Sequence, residues 1–159
     1  MLKISKRKIE SLSNVRSQNC VSIFMPTHRK GKKVYEKEDK IMLKNLVREA
    51  ARYLQQSGMS DNEAKEFLRP VDQLINDNHL WRHLLSGLAL FLDDGLFEYY
   101  ILPVHFHSFV YVSNHFYLKP LMPFFNGDGQ FTILTLSLNH VSLYKGTRYS
   151  ISKTAIQET

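Results

Sequence analysis

The run Cys20-Val-Ser-Ile-Phe-Met25, stopped by Pro26, leaves this chain the fewest options. Six residues are too few for a stable helix, and their β-branched and aromatic content reads as a strand buried in a core. The segments that follow decide how the strand is covered. Residues 37–57 carry Leu43, Leu46, Val47, Ala50 and Leu54 at helical spacing, with Gly58 as a stop signal. Ser60-Asp-Asn-Glu63 has the spacing of a capping box and opens a second helix, which should bury Ala64, Phe67, Leu68, Val71, Leu74 and Ile75. Pro70 lies inside that pattern, so a kink or two abutting helices are expected there. Residues 3–13 read as a short amphipathic helix with Leu2, Ile9 and Leu12 inward, and residues 79–85 as one further helical turn or two.

The texture then turns to β. Gly87–Leu92 and Leu96–Leu102 flank Asp93-Asp94-Gly95, a strong hairpin signal, and Phe109–Val112 is a third short strand. His115–Phe125 reads as a short helix despite Pro120 and Pro123. Phe131–Leu138 and Val141–Tyr144 form a second hairpin around Asn139-His140. One strand, then helices, then strands is the order of an α/β or α+β sandwich. The expectation is a mixed β-sheet covered by the early helical pair, with a C-terminal β-hairpin.

Composition sets the outer limits. A chain of 159 residues, 43% hydrophobic and 23% charged, can fill one core, or one core with a small addition, without disulfide or metal staples. A lone Cys20 offers no disulfide framework and suits a reducing compartment. The longest apolar stretch, Leu84–Leu92, is too short to span a bilayer, and no apolar region follows the charged first ten residues as in a signal peptide. A cytoplasmic protein with no membrane partner is expected.

The net charge of +6 is unevenly spread. Residues 1–58 hold 14 Lys/Arg against 5 Asp/Glu, a net of +9, and residues 59–159 hold 7 against 10, a net of −3. Lys40, Lys44, Arg48 and Arg52 recur every four residues along one stripe of the first long helix. Like charges at that spacing repel by roughly 0.2–0.5 kcal/mol per pair, and only Glu36 offers an offset. The loop from Thr27 to Val34 adds His28, Arg29, Lys30, Lys32 and Lys33. Such a loop and stripe suit a polyanion's phosphates, and the expected contacts are Arg29, Lys30, Lys32, Lys33, Lys40, Lys44 and Arg48. A solvated helix face is the plain alternative.

Other chemistry is sparse. His79 and His83 sit four apart without the Glu of a zinc-protease helix, and His105-Phe-His107 has no Cys or carboxylate nearby in sequence. Gly31-Lys32-Lys33 lacks the upstream Gly and the Ser/Thr of a phosphate-binding loop. Cys20 reads as an inert core thiol. No catalytic residue, metal or cofactor is expected, and RNA cleavage by His28 and its neighbours is kept only as a rival.

The order of motifs resembles a known family. Val21-Ser-Ile-Phe-Met-Pro-Thr-His28, Leu43-Lys-Asn-Leu-Val-Arg-Glu-Ala50, Leu80-Trp-Arg82 and Gly87-Leu-Ala-Leu-Phe91 are similar to the bacterial branch of the archaeal–eukaryotic release-factor superfamily, which also includes Pelota. His115-Phe-Tyr-Leu-Lys-Pro-Leu-Met-Pro123 and Phe131-Thr-Ile-Leu-Thr-Leu-Ser137 continue the resemblance. It implies an N-terminal domain at residues 1–128, which in those relatives reaches the decoding region of the small ribosomal subunit. Residues 129–159 would be the truncated start of a central domain.

Three departures narrow the implied function. Gly127-Asp-Gly-Gln130 interrupts the family's Gly-Gly-Gln and reads as a turn, and Asp39-Lys-Ile-Met42 stands where stop-codon readers have Asn-Ile-Lys-Ser. Val112 replaces the cysteine of their Tyr-x-Cys-x-x-x-Phe element. The resemblance therefore implies a non-catalytic partner of the ribosome, ribosomal RNA or tRNA, in rescue, hibernation or termination. A protein-interaction module, docking missing domains or a partner through apolar surface at Phe124, Phe125 and the C-terminal hairpin, is the alternative.

Overall fold

A computed structural model describes residues 4–29, 33–125, 131–137, 140–147 and 150–155. The apolar run forms strand β1 (Cys20–Pro26), and its side chains are buried on both faces. Val21, Ile23 and Met25 enter one core, while Cys20 and Phe24 enter another on the opposite face. The first core lies beneath helices α2 (Lys33–Gln56), α3 (Asp61–Ile75) and α4 (Asn78–Arg82). The second is closed by α1 (Lys6–Ser13), a 3₁₀ turn (Lys119–Leu121) and Phe106 and Phe116. A sheet with helices on both faces is thus the α/β sandwich expected.

The strand directions differ from expectation. The sheet has the order β3-β2-β1-β4, with β2 (Gly87–Leu92), β3 (Phe97–Leu102) and β4 (Phe109–Ser113), and every pairing is antiparallel rather than mixed. The cause is the pair of long helices. α2, about 36 Å long, carries the chain from His28 to the far end of β1, where Ser57 Oγ donates to Asn19 Oδ1. α3 brings it back, so β2 starts opposite Pro26 and runs against β1. A single crossover helix gives a parallel neighbour; two restore the starting end. Gly87 is fixed there by close approach, since a Cβ would lie 2.2 Å from the Val104 carbonyl oxygen and 2.6 Å from the Phe106 ring.

Other boundaries move by local chemistry. α2 begins at Lys33, so Lys33 and Val34 belong to the helix instead of the loop. It ends at Gly58, whose φ of 110° is the left-handed cap conformation. The capping box forms as expected, with Ser60 N–H donating to Glu63 Oε2 (2.7 Å) and Ser60 Oγ accepting from Glu63 N–H (3.2 Å). These bonds hold the Glu63 carboxyl below its ordinary range. α3 runs through Pro70 as one helix, because Leu68, Val71, Leu74 and Ile75 on both sides of it pack into the same core. Residues 115–125 make the 3₁₀ turn and a four-residue α5 (Met122–Phe125), and Phe124 and Phe125 are half-buried against the second core rather than exposed.

The C-terminal hairpin is larger than expected. β5 (Phe131–Ser137) pairs with β6 (His140–Gly146), and β7 (Ile151–Thr154) adds a third strand, forming a sheet that shares no strand with the first. Its exposed apolar side chains include Leu134, Leu136 and Ile151. The domain boundary expected at residue 128, and Gly127–Gln130, lie outside the described residues, as do Leu2 and Asn139.

Phe24 is fully buried and contacts Phe91, Phe106 and Phe109 ring to ring at 5.1–5.7 Å. Phe24→Ala should lower unfolding free energy by roughly 3–5 kcal/mol in urea titration. Ser60→Ala should cost about 1 kcal/mol. Because the folded state holds Glu63 at a lowered pKa, its contribution is present at neutral pH and is lost as pH falls through that lowered value. Glu63→Gln should therefore flatten the acid limb of the stability profile, whereas Ser60→Ala, which keeps the residue 60 N–H, should flatten it only in part.

Candidate nucleic-acid interface

The end of β1 where α2 starts and α4 arrives collects most of the chain's unusual side chains. Thr27 closes the strand, its Oγ1 donating to the Leu85 carbonyl at 2.7 Å. His28 and Arg29 then emerge exposed, and Arg29 Nε donates to Ser86 Oγ at 3.2 Å. Lys30, Gly31 and Lys32 lie outside the described residues, and Lys33 is described only as the first residue of α2.

The basic stripe divides in two. Lys44, Arg48 and Arg52 are exposed on α2, where Arg48 reaches only Asn45 and Arg52 lies over its neighbour Tyr53. They line an open groove of about 580 Å³ between α2 and α3, with Asp61, Lys65 and Asp72 on the opposite bank. Lys40 is different. Its ammonium is 3.0 Å from Glu36 Oε1, 3.5 Å from Asn78 Oδ1 and 5.6 Å above the Trp81 ring. It clamps α2 onto α4 and is half-buried, so it faces a solvent ligand less freely than Lys44 or Arg48.

A buried carboxylate is the group that sequence reading missed. Asp39 is 1% exposed, and both its oxygens serve His28: Oδ2 accepts the backbone N–H at 3.0 Å and Oδ1 lies 2.9 Å from Nδ1. The imidazole stacks on Tyr35, ring centroids 4.5 Å apart and 12° from parallel. A cavity of about 320 Å³ opens beside this pair, lined by His28, Tyr35, Glu36, Asp39, Trp81, Arg82 and Leu84. Its signal was present: Asp39 stands four before Leu43 and seven before Leu46, so it lies on the apolar stripe of α2. A carboxylate there must find donors.

The far end of β1 has the opposite sign. Glu63, Glu66, Asp93 and Asp94 surround a hollow of about 870 Å³ beside Asn19. These acids gather beyond the end of β1 where α2 stops, and the basic stripe runs along α2 toward them. His79 and His83 stack with ring centroids 4.2 Å apart, and His83 Nδ1 lies 2.7 Å from the His79 carbonyl oxygen. No group of three or more potential metal ligands occurs among the described residues. Cys20 is fully buried, and burial pushes its thiol up. No helix among the described residues is long and apolar enough to cross a membrane.

No family model matches the chain, and no curated protein does. A shared fold appears among solved structures. One described as an archaeal protein superposes with a TM-score of 0.54 at 15% identity, covering 98% of this chain. This chain spans 45% of that protein's length. An archaeal translation termination factor, aRF1, superposes with a TM-score of 0.46 at 15% identity, over 96% of this chain and 44% of its own.

The two halves of the stripe predict different mutant behaviour. Lys40→Ala removes an ion pair and a cation–π contact and should lower stability by about 1 kcal/mol. Lys44→Ala removes neither and should stay within about 0.5 kcal/mol of wild type in the same urea titration.

Proposed function

We propose that this chain is a non-catalytic, cytoplasmic module that binds ribosomal RNA or ribosome-associated tRNA in translation, in rescue, hibernation or termination. The observation that carries the RNA reading is the exposed row Lys44, Arg48 and Arg52 along α2, continuing from Arg29. Three cations at helical spacing gain nothing for the isolated helix, since neighbours of like sign repel. A phosphate backbone repays them through released counterions. The ordered motifs similar to the release-factor superfamily direct that surface toward the ribosome. Residues 1–128 are the domain we assign to this role, and Lys30, Lys32 and Lys33 are proposed to extend it.

About five neutralised phosphates on a single strand give a log–log salt slope of about −3.5. Charge reversal at Lys44 and Arg48 should weaken co-sedimentation with ribosomes or binding to single-stranded RNA, and should flatten that slope to about −2. A double variant that pellets like wild type at moderate salt removes the stripe from the contact.

A second reading draws on a separate observation. Ile133, Leu134, Leu136, Val141 and Ile151 are exposed on the C-terminal sheet, with Leu136 at 71%. Apolar surface of that kind fits a protein-interaction or assembly role. Sedimentation at two ionic strengths separates the readings: association that ignores salt favours this one.

A further inference from the structure

The cavity beside His28 has features that the stripe does not need. Its carboxylates are already answered, Asp39 by the His28 backbone and ring and Glu36 by Lys40. Arg82, which also lines it, is exposed and has no hydrogen-bond or ion-pair partner among the described residues. Arg29 adds a second exposed guanidinium on the adjoining loop. Arg82 is therefore the lining side chain whose donors are left without a partner among the described residues, and a phosphate matches its fork.

Asp39 also fixes the imidazole. With Nδ1 turned to a buried carboxylate, Nε2 is the remaining polar atom of a ring whose side chain is 48% exposed. Tyr35, itself 41% exposed, lies face to face with the imidazole, so the pair forms a two-ring aromatic stack at the cavity mouth. A phosphate alone needs no such surface. A flat aromatic ligand joined to a phosphate uses both features, and unpaired bases of single-stranded RNA bind in this way.

We propose that this cavity is a nucleotide subsite. It takes one unpaired base of single-stranded RNA against the Tyr35 ring, the adjoining phosphate on the Arg82 guanidinium, and a ribose hydroxyl as donor to His28 Nε2. The site deepens the RNA-binding reading and rests on it. Asp39 is a positioning residue, holding the imidazole in the orientation that presents Nε2. Trp81 forms part of the wall, and Lys40 over its ring joins α2 to α4 so that the two halves of the site stay in register.

The test is equilibrium binding of the full chain to a short single-stranded oligoribonucleotide, read by fluorescence anisotropy at fixed low salt. Tyr35→Ala should weaken binding about tenfold, as loss of one stacked base does. Tyr35→Phe, which keeps the ring, should bind like wild type. Arg82→Ala should weaken binding and flatten the salt slope by about 0.7, the share of one phosphate on a single strand. The His28 ring ¹⁵N signals should move when the RNA is added, and should move less in Asp39→Asn.

The failures are distinguishable. If wild type binds no RNA at low salt, the RNA-binding reading falls, and the subsite with it. If wild type binds and the Lys44/Arg48 reversal weakens it, while Tyr35→Ala and Arg82→Ala bind unchanged, the stripe stands and the subsite is overturned. RNA cleavage that disappears in His28→Ala overturns it too, because the imidazole would then be an acid–base catalyst.

Discussion

Everything positioned in this molecule depends on β1 being covered on both faces. Its odd-numbered residues feed one core and its even-numbered residues the other, apart from Ser22, whose Oγ accepts the Tyr117 N–H at 2.9 Å. A strand so enclosed cannot slide by one register without exchanging its two cores, and it is held by partners on both edges. That rigidity passes to Thr27, His28 and Arg29, which leave the strand at a fixed height and direction. The proposed site sits at the end of a rigid rod.

The helices lay charge along that rod. α2 spans the length of the sheet and carries cations along its outer face, while the loop between β2 and β3 places Asp93 and Asp94 beyond the end where α2 stops. Where α2 begins, it also contributes Tyr35, Glu36 and Asp39 to the wall of the cavity beside His28, and Lys40 holds Glu36. α4 is short, with Trp81 buried and its indole N–H given to the Ile75 carbonyl at 2.9 Å. One element thus supplies both a diffuse cationic face and the floor of a specific site.

Much of the fold was legible in the sequence, because periodicity reports burial directly. The apolar run of β1, the stripe of α2, the capping box at Ser60 and the Asp93-Asp94-Gly95 turn all formed where their chemistry required. Strand direction was not legible. A strand buried on both faces reads as a continuous apolar run whichever way its neighbours point, and two return helices set the antiparallel pairing. Charge placement was half legible: spacing put Lys40 in line with Lys44 and Arg48, but it could not show that Glu36, Asn78 and Trp81 surround it. The His28–Asp39 pair joins residues on different elements, so no periodicity within one element reports it. Its one trace was an acid on an apolar stripe.

The central claim is that RNA meets the pole built from the His28–Arg29 loop, α2 and α4. Backbone amide chemical-shift mapping on adding a single-stranded oligoribonucleotide tests this most directly. The account predicts shifts gathered at residues 28–29, 35–52 and 82, with the Asp93–Phe97 turn and the C-terminal sheet unmoved. Shifts confined to Leu134, Leu136, Val141 and Ile151, or to the acidic pole, would contradict it.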